Sequence, residues 1–289
     1  MTNTPLVTIG LPVYNSERFI RQSLDSLLGQ TYRDFVLIIS DNASTDRTAE
    51  ICQSYAKSDG RIQYHRNAAN IGNPGNFNRI FSLTRTRYLK WSTSDDWWAP
   101  TFVERALEIM ERDPSIALCY PQAYIVDADG ANPQPYDDVL HLMLDDPAER
   151  FLKVIDTIAL AHQHLGLIRT DALRRTRLLG AFVASDINLL AELTLHGKYY
   201  ELPERLFYRR YHKISGSWNR GNKEHEAKYY LAAKKPTIKF TRWRRHIRFF
   251  AAALRAPLPP GKKLWLCWKL FRRLLSDREL LIKDLFGRA

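Results

Sequence analysis

The sequence predicts an α/β domain, a mostly parallel sheet flanked by helices, followed by a basic amphipathic helical tail. Three observations carry this. Short apolar runs alternate with helix-period stretches across the first 120 residues. Clusters of Asp, Asn and Ser stand directly behind several of those runs, where strand-to-helix loops would lie. The net charge of +12 is confined to the end of the chain. From Lys228 onward there are 17 Lys/Arg against three acids, a net of +14, while the first 227 residues carry −2.

Taken in order, Val7 to Pro12 reads as a buried strand. Asn15 or Ser16 caps a helix with Phe19, Ile20, Leu24, Leu27 and Leu28 on one side. Phe35 to Ser40 is a second strand, and the helix behind it starts near Thr45 or Asp46 and buries Ile51 and Tyr55. Ile62 to His65 is a third strand. Phe77, Ile80, Phe81 and Leu83 mark a helix, Tyr88 to Ser92 a strand, Phe102 to Met110 a helix and Ile116 to Tyr120 a strand. From Pro121 to about Arg150 the pattern loosens. Asp129-Gly130 suggests a turn, Pro133 and Pro135 block regular helix, and a loop or hairpin over the site is expected. Order returns with Phe151 to Leu160, then Gly166 to Arg169, then a helix from Asp186 to His196 and a strand-like run from Leu206 to Tyr208.

In the tail, Phe240, Trp243, Ile247, Phe250 and Leu254 recur at helical spacing with basic residues between them. Pro257, Pro259 and Pro260 interrupt the run, and Leu264, Trp265, Trp268, Phe271 and Leu275 continue it. Such a tail fits helices packed on the domain with a solvated basic face, or an anchor on an anionic membrane surface through residues 237–275. Basic charge alone leaves nucleic acid open, but no nucleic acid is expected as a partner. No run of 18 apolar residues and no leader-like segment is seen, and Cys52, Cys119 and Cys267 lack disulfide or zinc spacing. A reducing, cytoplasmic setting is expected, with the chain peripheral at the inner face of the membrane.

Ligands of parallel sheets bind at the carboxyl ends of strands, so the polar clusters there are the candidate site. Asp41, in Ser40-Asp41-Asn42-Ala43-Ser44-Thr45-Asp46, either accepts hydrogen bonds from a ligand or belongs to a capped loop. Asp95-Asp96 follows another strand. Two adjacent carboxylates repel when ionised, and a hard divalent cation offsets that repulsion. The plainer reading is a helix start, favoured by the dipole and by Pro100. Asp186 has the same two readings, helix-start acid or general base. His162 and His164 read more simply as structural histidines than as site residues.

In order and spacing these segments resemble glycosyltransferase family 2, inverting enzymes of the Rossmann-like GT-A fold. Val7-Thr8-Ile9-Gly10-Leu11-Pro12-Val13-Tyr14-Asn15 looks like the family's first strand and turn. Leu24 to Tyr32, Asp41 to Asp46, Asn70-Ile71-Gly72 with Asn76 and Asn78, and Ser94-Asp95-Asp96 follow in the family's order. The resemblance covers about residues 6 to 215. It implies a domain over 1–227, with a nucleotide-binding half (1–120), an acceptor and catalytic half (121–227), and the tail 228–289 outside it. It further implies a nucleotide-sugar donor, uridine diphosphate in many members, and Mn2+ or Mg2+ as cofactor. Pro12, Tyr14, Glu17, Asp41, Asn70, Asn76 and Asp95 would line the donor nucleotide. Asp96, Asp95 and His212 would hold the metal, Arg209 and Arg210 the diphosphate, with Ser215, Ser217 and Trp218 in the segment that closes over it. Asp186 would be the general base. Aligned on the family's metal motif, Thr93 replaces the first Asp, so metal binding rests mainly on Asp96. The Gln-x-x-Arg-Trp segment of processive synthases is not found, which favours transfer of one sugar to a glycan or lipid-linked acceptor. The competing readings are a nucleotidyltransferase on a related fold, whose Gly-rich phosphate loop is not seen, and a degenerate domain serving as a membrane-binding module.

Overall fold

The computed structural model describes residues 5–212, 229–230 and 240–285. Ser215, Ser217, Trp218, residues 237–239 and the boundary at 227/228 lie outside the described residues.

The first half is a run of parallel strands with crossover helices. Strand β1 (Val7–Val13) pairs in parallel with β2 (Phe35–Asp41) and β4 (Tyr88–Trp91), and β2 pairs with β3 (Ile62–Arg66). Helices α1 (Ile20–Leu28), α2 (Thr48–Ser58) and α3 (Asn73–Leu83) make the connections. β1 is buried along its whole length, as a strand covered on both faces must be. Gly10 marks the closest packing: a Cβ there would stand 2.4 Å from Ile80 Cγ2 of α3. Helix α4 (Phe102–Arg112) follows a short strand, β5 (Trp97–Trp98).

The second half is mixed. The sheet order is β3-β2-β1-β4-β8-β6-β9-β5, with β7 beside β6. Strand β6 (Ile116–Val126) runs six residues past the expected end at Tyr120, and its pairing with β9 shifts register directly after Pro121, an irregularity of the kind that accommodates proline in a strand. β7 (Gln134–Tyr136) folds back on β6 as the expected hairpin, closed by a turn in which Asp127 Oδ1 accepts from the amides of Asp129 and Ala131. Helix α5 (Pro147–Thr157) begins four residues before the expected start. Asp146 caps it through Ala148 N at 2.8 Å, with Pro147 in the first turn. A 3-10 turn (His162–Leu165) leads to β8 (Leu167–Arg169), which lies antiparallel between β4 and β6. Helices α6 (Thr170–Arg174) and α7 (Ser185–Thr194) precede β9 (Lys198–Arg210). β9 is ten residues longer than its apolar segment suggested, since Glu201, Glu204 and Arg205 interrupt the apolar pattern between its buried positions Tyr199, Leu202 and Phe207.

Helices α8 (Thr241–Arg255), α9 (Pro260–Ser276) and α10 (Arg278–Leu285) form the C-terminal region. Phe249, Ala252 and Ala253 of α8 are buried. Phe249 meets Phe151 of α5 edge-on at 5.9 Å, and Asn188 of α7 donates to Arg245 O at 3.0 Å. Among the described residues no helix is long and apolar enough to cross a membrane.

Candidate active site

The carboxyl ends of β1, β2 and β4 come together, and two loops behind β1 and β2 lock each other. Asn15 Oδ1 accepts from Thr45 N at 2.8 Å. Ser16 N donates to Thr48 Oγ1 at 2.7 Å, Glu17 N to Asp46 Oδ2 at 3.1 Å, and Arg47 N to Glu17 Oε2 at 3.0 Å. Asn15 (φ 47°) and Ala43 (φ 62°) stand in the left-handed region, which costs a side-chain-bearing residue energy that the surrounding bonds offset. Asp41 is fully buried at the end of β2. Its carboxylate accepts from Ser44 N (2.9 Å), Tyr64 Oη (2.6 Å) and Arg66 (2.9 Å). Asn70 Oδ1 accepts from Asn42 and from Gly72 N, and it holds the turn where Gly72 takes φ 77°. Asn76 ties α3 to β2, donating to Ser40 O and accepting from Ser40 Oγ and Asn67. Tyr14 projects outward at 47% exposure, while Pro12 beside it is buried.

The second cluster surrounds a cavity of about 140 Å³. Asp95 and Asp96 reach it from the β4–β5 loop, Asp186 from the first turn of α7, Arg209 from the end of β9, and His164 from the 3-10 turn. Arg210, His162, Phe77, Tyr229 and Tyr230 also line it, so the two histidines expected to be structural both stand at the cavity. Pro12, Tyr14, Glu17, Asp41, Asn70, Asn76 and His212 do not line it. Strain recurs on this side: Ala161 (φ 55°) precedes the 3-10 turn and Ala184 (φ 63°) precedes α7. The carbonyl of Ala161 accepts from His164 Nδ1 at 2.6 Å, which leaves Nε2 of the neutral ring as an acceptor. Burial holds His164 below its ordinary pKa despite the charge of Asp186, and pushes His162 down to about 3.

Asp96 is 6% exposed, accepting from Thr93 Oγ1 and, at 2.7 Å, from Arg210 N. Burial first, then the charge of Asp95, raises its carboxyl to about 7. Asp95 hydrogen-bonds His212 Nε2 at 2.8 Å, and the imidazole packs against Phe19 at 4.9 Å. Among the described residues no group of three His, Cys, Asp or Glu gathers into a cation cage. The pair Asp95–Asp96 still suits a hard cation that brings phosphate and water ligands, because that cation relieves the repulsion felt at Asp96.

Arg210 lines the cavity and has structural partners as well. Its guanidinium donates to Asp95 O, Ala128 O and Gln22, and it sits 4.6 Å from the Phe19 ring and 4.9 Å from that of Trp97. Arg210 therefore braces the β4–β5 loop. Among the described residues Arg209 makes one long bond, to Leu160 O at 3.4 Å, and its side chain lines the cavity. Trp97 and Trp98 stack on Tyr208 and Phe207 of β9 and are packing residues. Sequence reasoning missed Phe77, counted as core, and Tyr229 and Tyr230, counted with the tail. Tyr229 Oη accepts from Asn73 at 2.8 Å.

The family model described as glycosyl transferase family 2 matches residues 8–177. The putative teichuronic acid biosynthesis glycosyltransferase TuaG of Bacillus subtilis is 30% identical over 179 residues, 60% of this chain and 69% of that protein. Across the first curated relatives the matched stretch spans 43% to 69% of their own length. Among solved structures, S. aureus TarS 1-349 in complex with UDP-GlcNAc superposes with a TM-score of 0.67 at 17% identity, covering 93% of this chain and 72% of that one. The mannosyltransferase PcManGT from Pyrobaculum calidifontis, in complex with GDP-Man and Mn2+, gives 0.56 at 15% identity, covering 100% and 89%. Those likenesses establish the GT-A fold.

Proposed function

The chain belongs to glycosyltransferase family 2, and from that premise we propose that it is an inverting, metal-dependent enzyme of cell-surface glycan or polysaccharide biosynthesis. It moves one sugar from a nucleotide diphosphate-sugar, a UDP-sugar, to a hydroxyl of a glycan or lipid-linked acceptor. The observation that carries the reading is the single cavity shared by Asp95, Asp96, Asp186 and Arg209. The UDP-GlcNAc bound in TarS and the Mn2+ in PcManGT support the choice of donor and cation.

Asp186 takes the proton of the acceptor hydroxyl. The oxygen attacks the anomeric carbon from the face opposite the phosphate, the bond to the diphosphate breaks, and configuration inverts. Arg209 meets the charge that grows on the leaving diphosphate. A divalent cation, Mg2+ or Mn2+, held by Asp96 and Asp95, supplies further relief of that charge when bound. His212 orients Asp95 through their bond rather than meeting the cation itself. The locked loops of Pro12 to Glu17 and Asp41 to Arg47 form the floor under the base, and the basic region 237–275 keeps the enzyme at the inner face of an anionic membrane.

The test is a thermal-shift panel of uridine, guanosine and thymidine diphosphates with and without Mn2+. Ligands that bind only the folded state raise the melting temperature. A shift with one diphosphate that needs the metal and is lost in Asp96→Ala establishes the donor site. No shift from a folded sample removes it.

A further inference from the structure

The C-terminal helices carry two apolar faces, and only one is covered. In α9, Leu266 and Leu270 are fully buried, while Leu264, Trp268, Phe271 and Leu275 are 72%, 51%, 51% and 45% exposed. At roughly 100° per residue these four fall in one stripe about 60° wide, on the opposite side of the helix from Leu266 and Leu270. In α8, Ile247 and Leu254 are 60% and 61% exposed, opposite the buried Phe249, Ala252 and Ala253. The inner faces are bonded down: Lys262 and Arg273 pair with Asp146 and Asp156 at the two ends of α5, and Arg255 with Glu192 of α7. Trp243 is also engaged, donating to Leu281 O of α10. Packing on the domain and presenting an apolar surface are therefore both properties of these helices.

Charge identifies what the outer face can meet. Residues 241–276 contain ten Lys/Arg and no Asp or Glu. Lys269 and Arg272 lie 5.5 and 5.1 Å from the Trp268 ring, so cations rim the apolar ridge. A second copy of the same face would set like charges against each other, and a nucleic acid can stack bases on Trp268 and Phe271 but gives the aliphatic Leu264, Leu275, Ile247 and Leu254 no apolar partner. An anionic lipid surface accepts both parts, with headgroups for the cations and the acyl boundary for the ridge.

We propose that the ridge Leu264–Trp268–Phe271–Leu275, with Ile247 and Leu254 beside it, is the face that inserts into an anionic phospholipid surface. The assignment rests on the membrane-peripheral reading given above and names the residues that perform it. α8 packs on α7, so α7, with Asp186 in its first turn, lies one helix layer from the lipid.

The test is co-sedimentation of the full chain with phosphatidylcholine vesicles, with and without phosphatidylglycerol, at low and high salt. Binding is expected only with phosphatidylglycerol and is expected to fall with salt. Trp268→Ala/Phe271→Ala should weaken it roughly tenfold through lost apolar burial. Arg244→Glu/Arg272→Glu should weaken it roughly thirtyfold or more at low salt, at about 1 kcal/mol for each lost cation. All four positions are exposed, so melting temperatures should be kept, and Val139→Ser, exposed in the segment after β7, should bind as the parent does. If the parent ignores anionic vesicles, the membrane reading and this face both fall. If the parent binds and both double variants bind equally well, the reading survives and the face is wrong. Self-association without vesicles that Trp268→Ala/Phe271→Ala abolishes would make the occupant a second copy and overturn the proposal.

Discussion

The two sides of the cleft are built in opposite ways. On the side of β1 and β2, Asn15, Glu17, Asp41, Asn70 and Asn76 spend their polar atoms on the backbone and on neighbouring side chains such as Asn42, Tyr64, Arg66 and Ser40. Around the cavity, among the described residues, Asp186 accepts only from the neighbouring Ile187 N, Arg209 makes one long bond, and His164 bonds through Nδ1 to Ala161 O. A shelf that binds a flat, invariant group gains from being rigid before the ligand arrives. Groups that move protons and meet developing charge must keep their valences for the reacting molecules. Substitutions on the first side should therefore show in stability, and on the second in turnover.

The largest effect tests the second half of that statement. Asp186→Asn should lower transfer by about a thousandfold, within the range that a positioned base contributes, while the UDP-induced thermal shift and the melting temperature stay as they were. A variant that loses the UDP shift instead would move Asp186 to the donor side.

Asp96 spans both sides, since it is bonded like the shelf and charged like the cavity. Its folded pKa, about 7, lies above the ordinary 3.8. A raised pKa adds stability that is whole below the unfolded value and is lost as pH rises through about 7. Cation binding has the opposite sign, because it needs the carboxylate. The Mn2+-dependent UDP shift should weaken as pH falls below 7, by about tenfold in affinity per unit, and vanish at every pH in Asp96→Asn. A pH-independent shift would mean that Asp96 does not hold the cation.

How much of this was legible in the sequence follows the same division. The parallel half was readable because β1 and β2 are near-continuous apolar runs and the loops behind them are polar clusters. β9 was not, because Glu201, Glu204 and Arg205 break the apolar pattern of a strand whose identity comes from pairing with β6 and β5. Asp95, Asp96 and Asp186 were found by position at element ends, but their convergence is a tertiary fact. Arg209 and Arg210 show the limit most plainly. Both line the cavity, and nothing in the dipeptide says that Arg210 also ties down the β4–β5 loop while Arg209 does not.

That pair gives the next comparison. Arg209→Met should keep the melting temperature and weaken UDP binding about tenfold, the loss of one charge-assisted contact. Arg210→Met should do the reverse. It strands the carbonyls of Asp95 and Ala128 and removes a cation from between two rings, costing about 2 kcal/mol of stability. Equal effects of the two changes on UDP binding would return Arg210 to the diphosphate.

The smallest effect probes the shelf at its rim. Glu17 is exposed, and its carboxylate accepts from Arg47 N just before α2 begins. An exposed cap-like bond of this kind contributes about 0.5–1 kcal/mol, so Glu17→Gln, which keeps an acceptor oxygen, should be nearly neutral and Glu17→Ala slightly destabilising in urea melts. If the loop acts only as a preformed floor, UDP affinity should follow the same order, with Gln close to the parent and Ala reduced by less than the loss in Arg209→Met. A tenfold loss in Glu17→Gln would show that the carboxylate charge itself meets the ligand, and the rigid side of the cleft would then hold a working group at its edge.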